Sequence, residues 1–259
     1  MAKGETALQS VELENQVGDD SAMDWVQQVK DELVKFADDE RARVSIRYFQ
    51  AFPGGYGEGD SFIGVRVPDQ RKVARRYYRE MPLAAVEELL QDPVHEHRLT
   101  ALIILTHKFE KAKTSQEKQE TVHVYLRNTA YVNNWDLVDT SADKILGAYL
   151  SNRDRNLLYQ LVESGNLWEQ RIAMIATSYF IKEDDFDDAL KIAALLLNHE
   201  HDLIHKAVGW MLREIGNRDH TVEYEFLKEH YKDMPRTMLR YAIEKFEPEL
   251  RTKFLKGLV

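Results

Sequence analysis

Apolar residues recur at spacings of three and four along almost the whole chain, as in ALIILTHKF (101–109), LLYQLV (157–162), RIAMIATSYFI (171–181), ALKIAALLL (189–197) and AVGWMLREI (207–215). That period places them on one face of a helix. Alternating strand patterns are essentially absent, and six prolines with twelve glycines leave little room for a turn-rich β protein. The pattern predicts roughly a dozen helices joined by short polar turns. It also predicts a repeat. Arg98, Arg171 and Lys206 each precede a small or apolar helical run; Asp136 to Arg171 and Arg171 to Lys206 are both 35 residues, and Arg98 to Asp136 is 38. PRTMLRYAIEKF, from Pro235, reads as a last, shorter copy. A period of about 35–40 with two helices per unit is that of a HEAT-like solenoid, whose second helices line a concave groove. The expectation is an all-α, HEAT-like helical-repeat solenoid over residues 23–259, one domain, preceded by a disordered acidic tail at 1–22.

One segment breaks the pattern. AFPGGYGEGDSFIGVRVP (51–68) is glycine-rich, yet no strand precedes it, no lysine follows its last glycine, and Glu58 and Asp60 would repel phosphate. It is expected to be a surface loop leading into a basic helix that starts near Pro68. The asparagine pair before WDLVD (135–139) suggests an N-cap, so Trp135 and Asp139 share the first turns of a helix and one of its faces.

Charge changes the picture of possible partners. The total of −9 argues against nucleic acid, but residues 1–24 hold one lysine against six carboxylates. Residues 66–79 hold six cations against one aspartate. A strong local patch can coexist with an acidic total. No run of about 18 apolar residues occurs, so no membrane span is expected. The first residues have no apolar leader, and the absence of cysteine excludes disulfides and thiolate sites. A cytoplasmic protein is expected. NHEHDLIH offers His199, His201 and His205, but Asp202 follows the first histidine of the i, i+4 pair and no third ligand suggests itself. They are expected to be solvated or capping residues, with no metal and no organic cofactor.

The informative set is Trp135, Asp139, Arg171 and Trp210: two indoles, a carboxylate and a guanidinium in repeat register among leucine, isoleucine and alanine. WDLVD, LWEQRIAMIA (167–176) and KAVGWMLRE (206–214), with RYFQAF (47–52) and PRTMLRYAIEKF (235–246), closely resemble the DNA alkylation repair family of HEAT-like glycosylases, the AlkD-type enzymes. The resemblance runs from about residue 24 to residue 256. It implies release of purines alkylated at N3 or N7 from duplex DNA by a monomer. It also implies that Trp135 and Trp210 border the lesion, that Asp139 is the essential carboxylate, and that Arg171 is the arginine beside it that contacts the DNA backbone. Tyr48 would line the site. The loop at 53–64 departs from the family pattern by its length and its glycines.

Such a base carries positive charge and leaves readily. Bond cleavage moves that charge onto the sugar, where a carboxylate stabilises it and orients water. Aromatic faces favour the same cation. A groove without a deep pocket predicts tolerance of bulky adducts. Arg71, Lys72, Arg75, Arg213, Arg236 and Arg240 are expected to contact phosphates without regard to sequence. Two other functions fit the fold: a DNA-structure-binding relative without the chemistry, and a protein-binding helical scaffold.

Overall fold

A computed structural model describes residues 24–259; the tail expected at 1–22 lies outside the described residues. The first helices are α1 (Trp25–Val34), α2 (Asp39–Tyr48), α3 (Val67–Tyr77), α4 (Leu83–Leu90), α5 (His95–Lys111) and α6 (Ser115–Arg127). A 3-10 turn (Thr129–Tyr131) leads to α7 (Trp135–Ala142), which runs through a π-turn (Asp143–Gly147) into α8 (Ala148–Leu150). Then follow α9 (Asn156–Glu163), α10 (Leu167–Lys182), α11 (Asp187–Leu195), α12 (Asp202–Arg218), α13 (His220–His230), α14 (Arg236–Ala242) and α15 (Pro248–Lys256). Among the described residues there is no strand, and Ser61 and Val94 form only an isolated bridge.

The helix starts are written in the sequence. Asp24, Asp38, Asn166 and Asp219 accept backbone N–H bonds at the starts of α1, α2, α10 and α13, and Thr114 forms a reciprocal capping box with Glu117. Pro68 stands in the first turn of α3, where its missing N–H costs nothing.

Two layers result. Helices α3, α5, α7, α10, α12 and α14 pack side by side in that order, while α4, α6, α9, α11 and α13 pack behind them. The central layer explains runs such as LTALIIL: α5 is covered by α3, α4, α6 and α7, so every residue from Leu99 to Leu105 is buried. Tight approach has its own signature. A methyl group on Gly209 of α12 would lie 2.5 Å from the Met238 carbonyl and from Tyr241 Cβ of α14, so only glycine lets these helices close together. The buried apolar residues form one continuous cluster from Val26 to Phe254. This is an all-α helical-repeat fold, as its sequence period predicts.

The repeat also sets the site. Asp139, Arg171, Lys206 and Arg240 each stand four residues after the first residue of α7, α10, α12 and α14. Side-by-side packing therefore carries these charged positions along the same end of the central layer.

Candidate functional site

Asn134 caps α7 by accepting the Trp135 N–H at 2.8 Å, so Trp135 opens the helix and Asp139 lies one turn later. The Asp139 carboxylate receives Arg171 Nε at 3.0 Å and Nη2 at 2.8 Å, a bidentate pair across two helices. The third guanidinium nitrogen, Nη1, donates to the Leu203 carbonyl at the start of α12. Arg171 is 5% exposed, whereas the Asp139 side chain retains 19%. Burial raises the Asp139 pKa above its ordinary value, against the lowering effect of Arg171; Asp136 and Asp143 add repulsion. Arg171 thus secures an anion in a poorly hydrated place. Where the sequence resemblance puts Arg171 on the DNA backbone, the structure shows all three of its nitrogens engaged within the protein.

Beside this pair lies a cavity of ≈ 380 Å³, lined by Tyr48, Tyr56, Trp135, Arg171, Leu203, Lys206, Trp210, Arg213 and Tyr241. Tyr48, at the end of α2, is 62% exposed and meets Trp135 edge-on at 5.6 Å. Phe49 stacks on the same indole at 5.2 Å. The Trp210 indole N–H donates to Glu214 at 3.2 Å. Each cation on the wall has its own carboxylate: Arg171 has Asp139, Lys206 has Asp202 at 2.9 Å, and Arg213 has Glu244. A wider depression of ≈ 830 Å³ around Arg153 and Arg155 contains none of the residues singled out by sequence.

The glycine-rich segment is the expected surface loop leading into the basic helix α3, but it is anchored at both ends. Its second half is pinned by buried charge. Asp60 takes His95 Nδ1–H at 2.9 Å and Arg98 Nη2 at 2.7 Å, while His95 Nε2–H reaches Asp136 of α7 at 2.7 Å. Burial alone would favour a neutral His95, but the Asp136 and Asp60 carboxylates outweigh it and raise the pKa to about 9. The charged ring packs against both Phe49 at 4.7 Å and Phe62 at 4.9 Å, which stack on each other at 5.4 Å. Glu96 then accepts the backbone N–H groups of Ile63, Gly64 and Val65. The first half is pinned by shape. A methyl on Gly57 would come within 2.3 Å of the Phe49 carbonyl and 3.0 Å of Asn134 Nδ2. So held, the loop delivers Tyr56 to the cavity, packed edge-on against Trp168 at 5.9 Å and His201 at 6.3 Å. Neither Tyr56 nor Lys206 belongs to the site set chosen from sequence.

The basic residues divide. Lys72 and Arg75 of α3 are exposed and Arg71 is half-buried. Burial lowers the His107 pKa on α5, and Arg75, Arg71 and Lys144 lower it further. This patch lies on the far side of α5 and α7 from Arg171, outside the cavity. Arg236 donates to the Leu255 carbonyl at 2.7 Å. Arg240 is exposed, next to Tyr241, and has no ion-pair partner among the described residues. Of the three histidines, His201 caps α12 by accepting the Leu203 N–H, His199 accepts the His201 N–H, and His205 reaches the His199 carbonyl. All three have capping or backbone partners.

A sequence model of the family described as DNA alkylation repair enzyme matches residues 29–246. No curated protein matches the chain significantly. Among solved structures the fold is similar to that of a predicted DNA alkylation repair enzyme from Enterococcus faecalis. That likeness has a TM-score of 0.64 at 18% identity and covers 82% of this chain and 97% of that one.

Proposed function

The chain belongs to the DNA alkylation repair enzyme family, with a role in repair of alkylation damage, and we propose that it acts as a DNA glycosylase on cationic N3- or N7-alkylated purines in duplex DNA. The observation that carries this reading is the Asp139 carboxylate, held by both arms of Arg171 beside an aromatic cavity. A structural ion pair alone would not need two tryptophans and three tyrosines at its mouth.

The chemistry follows from the geometry. The N-glycosidic bond breaks and its electron pair leaves with the base, cancelling the charge on the alkylated ring. The deoxyribose becomes an oxocarbenium-like cation. Each Asp139 oxygen gives one lone pair to Arg171 and keeps another, so the carboxylate can still face the sugar. Low hydration strengthens that attraction. Water then adds at C1′ and its proton passes to Asp139 or to solvent. Burial strengthens Asp139 as a base more than Arg171 weakens it, so the carboxylate can both stabilise the developing cation and orient or deprotonate the attacking water. Trp135, Trp210 and Tyr48 present faces that favour a cation over its neutral counterpart, by roughly 0.5–2 kcal/mol per contact. The exposed Arg75, Lys72 and Arg240 supply phosphate contacts along the central layer.

The test is base release. Duplex DNA carrying one N7-methylguanine, incubated with the protein, is expected to yield free base and an alkali-labile site, whereas undamaged duplex yields neither. Tight binding with no release from N7-methylguanine or N3-methyladenine duplexes would instead mark a DNA-structure binder.

A further inference from the structure

The cavity is unusual in what its charges leave over. Its three cations are each matched by a carboxylate on a neighbouring turn or helix, so its walls carry little net charge toward a ligand. What remains facing the space is aromatic: Tyr48 from α2, Trp135 from α7, Trp210 from α12, Tyr241 from α14, and Tyr56 from the glycine-rich loop. Four of these rings come from the helical framework. The fifth depends on an irregular segment.

We propose that Tyr56 is a further substrate-contacting, specificity-determining residue: its ring closes an aromatic cage that selects a base with delocalised positive charge over a neutral base of the same shape. This rests on the glycosylase reading for the identity of the ligand. Its own support is independent of that reading. Trp168 and His201 hold the ring through edge-on contacts. The backbone on either side is wedged, since a methyl on Gly55 would lie 2.1 Å from the Gln50 carbonyl and one on Gly57 would lie 2.3 Å from the Phe49 carbonyl. Asp60 fixes the following turn to His95 and Arg98. So many contacts place the ring before any ligand arrives, and binding then has little ordering to overcome. A solenoid groove cannot enclose a base, and Tyr56 gives this one an additional wall.

The experiment uses two duplexes with a 2′-fluoro sugar that resists cleavage. One bears N7-methylguanine; the other bears its neutral isostere, 7-deaza-7-methylguanine. Affinities are measured for the wild type, Tyr56→Phe and Tyr56→Leu. The wild type is expected to favour the charged duplex. Tyr56→Leu, which keeps apolar bulk without a π face, is expected to reduce that preference about three- to thirty-fold. Tyr56→Phe is expected to retain it. A merely structural role would weaken both affinities together, and an unchanged ratio in Tyr56→Leu, or no charge preference in the wild type, overturns the proposal. Base release by the wild type from a cleavable N7-methylguanine duplex is measured alongside. No release with charge-selective binding sinks the glycosylase reading and leaves Tyr56 standing; release with an unchanged ratio does the reverse.

Discussion

Replacing Glu223 by glutamine is expected to stabilise the protein at alkaline pH. Glu223 lies on α13 against α12, the helix that also carries Lys206, Trp210 and Arg213. Its side chain is 2% exposed, and its Oε1 has no hydrogen-bond partner. Gly216 makes room for it: a methyl there would lie 1.7 Å from Glu223 Oε2. Burial drives its pKa from the ordinary 4.5 to about 8, with Arg213 pulling weakly the other way. Below pH 4.5 the carboxyl is protonated in both states and costs little. Between 4.5 and about 8 the unfolded chain releases the proton while the folded one keeps it, so stability falls as pH rises and levels off above the folded pKa. At about 1.4 kcal/mol per unit, the shift corresponds to a loss on the order of 5 kcal/mol at the alkaline plateau. Glutamine removes this slope but leaves a buried amide unpaired, at about 1–3 kcal/mol. A net gain on the order of 2–4 kcal/mol is therefore expected at pH 9, with a small loss at pH 5. Urea unfolding followed by tryptophan fluorescence at pH 5, 7 and 9 measures both. An identical pH slope in wild type and variant would refute the assignment of that slope to Glu223.

Other consequences are measurable in the same way. Arg171→Met strands the Asp139 carboxylate and is expected to destabilise by about 3–5 kcal/mol; the further change Asp139→Asn should restore much of that loss, and additive effects in a double-mutant cycle would mean that the pair is not coupled. Gly57→Ala forces a methyl against the Phe49 carbonyl, so about 1–3 kcal/mol of stability is lost; wild-type stability in thermal melts would contradict the loop geometry. Arg75→Ala and Arg240→Ala are each expected to weaken duplex binding irrespective of sequence and to reduce the salt slope, log K against log salt, by about one. A salt slope that neither variant changes would remove both from the DNA contact surface.

Much of this was legible in the chain because a repeat carries its own ruler. The spacing of Asp136, Arg171 and Lys206 anticipates that their helices pack side by side, and the cap at Asn134 fixes where Trp135 and Asp139 begin. The resemblance puts Arg171 beside Asp139, but their two-pronged pairing was not legible in the residues themselves. An arginine in a helix facing a groove suits a phosphate or a carboxylate equally, and only packing brings Asp139, 32 residues earlier, onto its fork. The anchoring of the loop was hidden for a related reason. Glycine and acidic residues suggest a solvated turn, but Asp60 finds partners 35 and 38 residues away, outside any local pattern. Tyr56 is hidden from sequence by the same fact. Glu223 carries no local mark of burial, and nothing in the sequence identifies Gly216 as the space it fills.

The most direct measurement is single-turnover release of N7-methylguanine from duplex DNA by the wild type and by Asp139→Asn, with duplex affinity measured in parallel. Asparagine keeps the shape and removes the charge. The account predicts affinity close to wild type and a rate lower by a factor of about 10² or more, as loss of an electrostatic stabiliser entails. Equal rates for the two proteins would contradict the role assigned to Asp139.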